Sequence, residues 1–382
     1  GFSYDDEGNL LTLVDANVGT FTYEYDELNR PKKSVQPGNQ IVQYTYDEAG
    51  LRTKLTYPDN SFITYLYDDL NQLTKIIDGT QAHVFTYDAA NRRTSLLYPN
   101  GVKTSYTYDD ANRLTKVLTD KVGGLISQYD YTVDKVGNWT RMVEAITGGS
   151  SQATDYGYDD LDRLTGVTKP GLAQAYAYDA VGNRTTRTEN AVQTFYTADN
   201  MNRYRTVNSD TLSYDARGNL TNDGTLAMTY DTDNRLTSVV SPTAVVNYKY
   251  DVTNRLIEKL EGGASTLYVY DGWNVIAEVK ANGGIKKKYI HGPRVDEILA
   301  QKQENNTLYL SRDGLGSTRE LIKEDGKVSQ RFDYDAFGAV TVMDKNGGVV
   351  PDAPKTNYLF TGREFQPESG LCNYRNRFYH PG

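Results

Sequence analysis

The chain has 382 residues, 41 Lys and Arg against 50 Asp and Glu for a net charge of −9, and 32 Tyr beside 10 Phe and 2 Trp. So aromatic a composition excludes disorder, and the acidity excludes a nucleic-acid surface, which needs a basic stripe. One cysteine, Cys372, excludes a disulfide framework and a multi-thiolate zinc site, and a mean hydropathy of −0.63 with no long apolar run excludes a membrane-spanning helix.

Taken from its start, the chain opens Gly1-Phe2-Ser3-Tyr4-Asp5, with neither a Met nor a basic-then-apolar leader, and reads as a mature or excised piece. A Tyr-Asp unit then recurs, as in Tyr25-Asp26-Glu27-Leu28-Asn29-Arg30, Tyr108-Asp109-Asp110-Ala111-Asn112-Arg113 and Tyr250-Asp251-Val252-Thr253-Asn254-Arg255. Fourteen copies start at residues 4, 25, 46, 67, 87, 108, 133, 158, 178, 198, 214, 230, 250 and 270; two have replaced the Tyr (Val133, Ala198). Such periodicity identifies a repeat architecture.

Three columns carry physical meaning. The residue after the Tyr is Asp in every copy, for example Asp26, Asp47, Asp109 and Asp251. Four after the Tyr stands Asn in eight copies (Asn29, Asn112, Asn254 among them), Gly in five (Gly50 among them) and Asp once. These are the residues that tolerate positive φ, and an Asp three residues earlier accepts backbone N–H groups in an Asx turn. The pattern predicts a hairpin loop of four or five residues. Two before the Tyr stands another large residue, as in Tyr23 before Tyr25, Tyr44 before Tyr46, Tyr106 before Tyr108 and Tyr248 before Tyr250. Residues two apart share one strand face, so both are read as sheet packing in preference to a sugar-stacking platform. The repeated Asp is read as a turn cap in preference to a calcium ligand, since hard cations want several converging oxygens. With three scattered histidines (His83, His291, His380), no metal site and no cofactor are assigned.

Each unit is thus one hairpin of roughly 20 residues, and a lone hairpin is marginal in water. The units are expected to stack into one long all-β sheet, a curved wall without a compact interior. Residues 1–280 are read as the array and 281–382 as its atypical terminal region, in line with the capping of repeat arrays. Lys286-Lys287-Lys288 reads as a solvated strand end. Beyond it come Arg312-Asp313-Gly314-Leu315-Gly316-Ser317-Thr318-Arg319, then Phe332-Asp333-Tyr334-Asp335-Ala336-Phe337-Gly338, then a long loop over 339–357. A strand-turn-strand segment around Gly362, Arg363 and Glu364 leads to Tyr374-Arg375-Asn376-Arg377-Phe378-Tyr379.

These units resemble RHS/YD repeats, and the motifs at Asp313–Arg319, Phe332–Gly338, Tyr358–Glu364 and Tyr374–Tyr379 resemble the RHS repeat-associated core domain. The family includes Rhs polymorphic toxins, the C components of insecticidal toxin complexes, wall-associated toxins and teneurins. The resemblance implies hairpins spiralling into a hollow shell that the core region closes. It also implies, in toxin members, a C-terminal toxin released by aspartate-dependent self-cleavage after the core. That motif falls beyond the residues given, so no cleavage residue and no toxin are assigned.

Three functions are weighed. The first is a secreted or cell-surface shell segment that encloses its own C-terminal cargo or joins a second shell component. The second is a recognition or adhesion module for a glycan or cell-surface protein, with self-association through sheet edges. The third is an enzyme using Asp313, Asp333, Asp335 or Glu364 with His380 as base. No nucleophile-elbow motif appears, and the chain is read as a non-enzymatic shell.

Overall fold

The computed structural model describes residues 1–381. Thirty-eight strands and one short 3-10 turn make up its elements. Strands follow the chain as an antiparallel meander, each paired with the next, through a 21-stranded and then a 14-stranded sheet. The pairing is interrupted at Leu212, between the strands Asp210–Thr211 and Ser213–Tyr214. A 3-stranded sheet, Glu364–Gln366, Leu371–Asn373 and Phe378–Tyr379, closes the described chain.

The turn chemistry explains the repeat. In the second unit the Asp26 amide donates to the Arg30 carbonyl at 3.0 Å, and the Asn29 amide to the Asp26 carbonyl at 3.0 Å. Asn29 lies at φ 59°. This is a five-residue loop built on a type I turn with a left-handed residue after it. The carboxylate fills its centre: Asp26 Oδ1 accepts from the Leu28 and Arg30 amides, and Oδ2 from Arg30 Nε. The fourth-position residue is left-handed in thirteen of the fourteen units. The exception is the last, where Asn274 lies in the strand Asn274–Lys280 and Gly272, at φ 59°, takes the left-handed conformation in a two-residue turn. The loop expected over 339–357 begins as a strand, Val340–Met343, and the Asp344–Gly348 turn that follows repeats the same geometry.

Adjacent hairpins are joined by more than the ladder. Tyr25, Tyr46, Tyr108 and Tyr250 each donate their hydroxyl to a carbonyl of the preceding hairpin, at Leu10, Pro31, Arg93 and Leu236. In the other direction Arg30 reaches the Asp47 carbonyl and lies over the Tyr46 ring at 4.7 Å. Arg235 makes the same bond to the Asp251 carbonyl and sits 5.4 Å from the centre of the Tyr250 ring. Asn replaces Arg at some turns and bonds the next turn's fourth-position side chain instead, as Asn138 does with Asp162 at 2.9 Å.

The two large sheets face each other. Links run in step along the chain: Gln36 to Tyr270, Tyr57 to Tyr289, Tyr98 to Leu310, Glu144 to Arg319, and Lys169 to Asp333. Between the sheets, Val42, Leu55, Ile76, Phe85 and Leu96 meet Ile276, Ile290, Leu299, Tyr309 and Ile322 in one apolar cluster. The curved all-β wall of hairpins is present, and along this stretch it closes on itself with an apolar core between its two sheets. Central strands of the second sheet are buried on both faces. In Asn274–Lys280 five consecutive residues, Val275 to Val279, are buried, the pattern of a strand covered on both sides. The aromatic column two before the Tyr points inward, with Tyr65, Phe85, Tyr131, Tyr176, Tyr248 and Tyr268 all buried.

Candidate functional site

The sequence-selected residues fall into three places. Those of the array (Tyr25, Asp26, Asn29, Tyr46, Asp47, Gly50, Tyr108, Asp109, Asn112, Tyr250, Asp251, Asn254) lie at successive hairpin turns and form the ties just described. Asp26 and Asp109 are held below the usual carboxylate range, first by the Arg30 and Arg113 amides respectively. Asp109 spends both carboxylate oxygens within its own loop, on the Ala111 and Arg113 amides and on Arg113 Nε.

The second place is a cleft of about 370 Å³ between the strands Trp139–Ile146 to Leu172–Tyr178 and the turns after residues 312 and 334. Asp313 repeats the turn geometry, its Oδ1 accepting from the Leu315 and Ser317 amides at 3.0 Å each, with Gly316 at φ 82°. Arg319, buried, lies on the floor. Its Nη2 is 2.8 Å from Glu144 and 3.4 Å from Asp333, and its Nη1 is 3.9 Å from Asp313. Lys169 holds the other oxygen of Asp333 at 2.6 Å. Asp333 lies on the strand Val328–Tyr334, beside the turn, and pairs with cations. Asp335 does cap its turn, accepting from Phe337 and Ala339 at 2.9 Å. Tyr334 donates to the Thr318 carbonyl at 2.6 Å. Gly338, at φ 94°, lies against the Phe360 ring, where a Cβ would sit 2.3 Å from a ring carbon.

The third place docks the tail onto the wall. Asp296 accepts from Arg363 at 2.9 Å and from Arg375 at 2.7 Å. Gly362 passes between them at φ 73°, where a Cβ would come within 2.5 Å of the Asp296 carbonyl oxygen. Ser317 accepts from the Thr361 amide, and Tyr374 bonds the Thr361 hydroxyl. Glu364 is buried and accepts from Tyr268 at 2.9 Å; burial and the nearby Glu278 push it up to about 7. His380 lies 3.9 Å from Asp223. Neither Glu364 nor His380 lines the cleft, so the candidate carboxylates and base do not converge on one centre.

Sequence reading missed Asp296, which sits in no repeat, and the cleft residues Trp139, Glu144 and Lys169, which arrive from the array. The Lys286–Lys288 run also differs from its reading. Lys286 is 3.5 Å from Glu278, and Lys288 reaches across to Asp59 at 2.8 Å.

The teneurin YD-shell family profile matches residues 1–136 and 123–350. The chain belongs to the teneurin YD-shell family. This YD-shell chain is 29% identical over 235 residues to the tRNA3(Ser)-specific nuclease WapA of Bacillus spizizenii, an alignment covering 59% of the chain and 10% of the relative. The tRNA nuclease WapA of Bacillus subtilis (strain 168) matches with the same identity and coverage. The chain thus spans about a tenth of the length of these relatives. Among solved structures, the TcdB2-TccC3-TEV crystal structure superposes with a TM-score of 0.82 at 16% identity, over 100% of this chain and 23% of that one. The Photorhabdus luminescens Tc holotoxin pore, with a TccC3 variant, gives 0.66 at 17% identity, over 98% and 22%. At these identities the likeness is one of fold: long antiparallel sheets of hairpins.

Proposed function

We propose that this YD-shell chain is a wall segment of a secreted or cell-surface shell that encloses a C-terminal polypeptide, with residues 281–382 acting as its cap. The observation that carries this reading is the paired tie between successive hairpins, Tyr hydroxyl backward and Arg guanidinium forward. It makes the wall extensible by repetition while each turn stays self-sufficient. The whole-chain likeness to TcdB2-TccC3 and the similarity to WapA support it. In this role the chain has no reaction of its own, and the polar groups of the repeats serve as joints. The wall's partners are its own C-terminal cargo and a second shell component. The glycan-recognition reading draws on exposed aromatics, sheet edges and a large area, and the buried Tyr65, Phe85, Tyr131, Tyr176, Tyr248 and Tyr268 count against a sugar-stacking role for their column.

The test is limited proteolysis of the full-length gene product. The account predicts that the segment following the wall survives protease concentrations that digest the same segment expressed alone. Digestion of both at equal rates removes the enclosure reading.

A further inference from the structure

We propose that the cleft over Arg319 is a binding site for a cation carried on an apolar stem, such as an Arg or Lys side chain of a peptide flanked by an apolar residue. This goes beyond enclosure, since the cleft can fill whether or not a shell closes around it.

Carboxylates outnumber cations in its lining, with Glu144, Asp313, Asp333 and Asp335 against Lys169 and Arg319. Lys169 serves Asp333, Arg319 serves Glu144, and Arg187, outside the cleft, reaches Asp335 at 3.6 Å. Asp313 is left with the longest of the Arg319 contacts. Its side chain is only 6% exposed, and its Oδ1 is spent on the turn. Its Oδ2 has no hydrogen bond, only Arg319 Nη1 at 3.9 Å, and the residue lines the cavity. That oxygen is open to a further hydrogen bond, and an incoming N–H cation supplies the charge-assisted donor that the wall does not. Burial raises Asp313 to about 6 even though Arg319 works the other way, so its negative charge is incompletely compensated.

The walls fix the rest of the ligand. Trp139, stacked on Tyr131 at 4.1 Å, together with Tyr156 and Phe360, gives the aromatic faces that attract a cation. Leu172 and Leu315 give apolar contact, and about 370 Å³ falls in the range of small-ligand pockets and exceeds one side chain. An anionic ligand would meet the excess of carboxylates and is excluded.

The probe is N-acetyl-Phe-Arg-amide, titrated calorimetrically into the protein, with N-acetyl-Phe-Glu-amide and spermidine as comparisons. Saturable binding of the Arg dipeptide is expected, with weaker binding of spermidine and none of the Glu dipeptide. Asp313→Asn should weaken the Arg dipeptide about tenfold or more. Leu315→Lys places a competing ammonium at the rim on a side chain that is half exposed, so the fold tolerates it, and it should abolish binding even if the Asp313 variant fails to fold. No saturable binding to the unaltered protein, equal binding of the Glu dipeptide, spermidine binding as tightly as the Arg dipeptide, or Leu315→Lys without effect would each overturn the proposal.

Discussion

The Arg113 guanidinium passes its own turn and donates to the main-chain carbonyl of Asp134, 2.6 Å away in the next hairpin. The same side chain holds Asp109 Oδ2 at 2.7 Å. One residue therefore completes its own loop and fastens it to its neighbour. This explains why the unit beginning at Val133 keeps its place without the usual Tyr: the Arg half of the tie persists. A planar fork with several fixed donors suits this double duty, which an ammonium cannot copy.

The left-handed turn position gives the first prediction. Asn112 sits at φ 62°, so a Cβ-bearing residue without a local polar group is strained there. Asn112→Ala should cost about 1 kcal/mol in urea denaturation, while Asn112→Gly should leave stability nearly unchanged. Equal losses for both variants would show that the side chain, and not the backbone conformation, matters.

A second prediction concerns the junction of the sheets. Arg93 and Glu297 pair through both guanidinium nitrogens, at 2.5 and 3.0 Å, with side chains 3% and 6% exposed. Burial raises the Glu297 carboxyl, and Arg93 overcomes it to leave the group lowered. Glu297→Ala strands a buried cation and should cost about 3–5 kcal/mol. The double variant Arg93→Met, Glu297→Met should recover most of that in the same denaturation assay.

Glu364 makes stability depend on pH. Its folded-state value of about 7 lies above its ordinary 4.5, so the folded state holds a proton that the unfolded state releases between those limits. Its contribution is complete below pH 4.5 and is lost as pH rises toward 7. Glu364→Gln should match the unaltered protein at pH 4 and exceed it at pH 8 by on the order of 3 kcal/mol.

His83 acts in the opposite direction. Burial lowers it to about 4, and neither ring nitrogen has a hydrogen-bond partner among the described residues. It packs between the Tyr98 and Tyr309 rings. The unfolded state takes up a proton at pH 6.5 that the folded state refuses, so stability falls as pH drops from 6.5 toward 4. His83→Phe should flatten that limb of the denaturation profile; an unchanged slope would place its origin elsewhere.

What could be read in advance divides along a physical line. The turns were legible because their chemistry is local: an Asp, two residues, then Asn or Gly at positive φ. Some turns at the opposite ends of the hairpins use the same loop, with Asn60 and Gly101 left-handed after Tyr57 and Tyr98, but lack the Asp that made the motif visible. The forward tie of Arg30 or Arg113 was hidden because both residues looked like ordinary strand starts. The cleft depends on Lys169 meeting Asp333 and Glu144 meeting Arg319, contacts set by how one sheet folds over the other. No spacing within the repeat encodes them.

The most direct measurement is electron cryo-microscopy of the full-length gene product. The account predicts a closed wall of hairpins, with this chain's two sheets packed face to face and additional polypeptide density held inside. An open ribbon, or a wall with its C-terminal segment free in solvent, would contradict it.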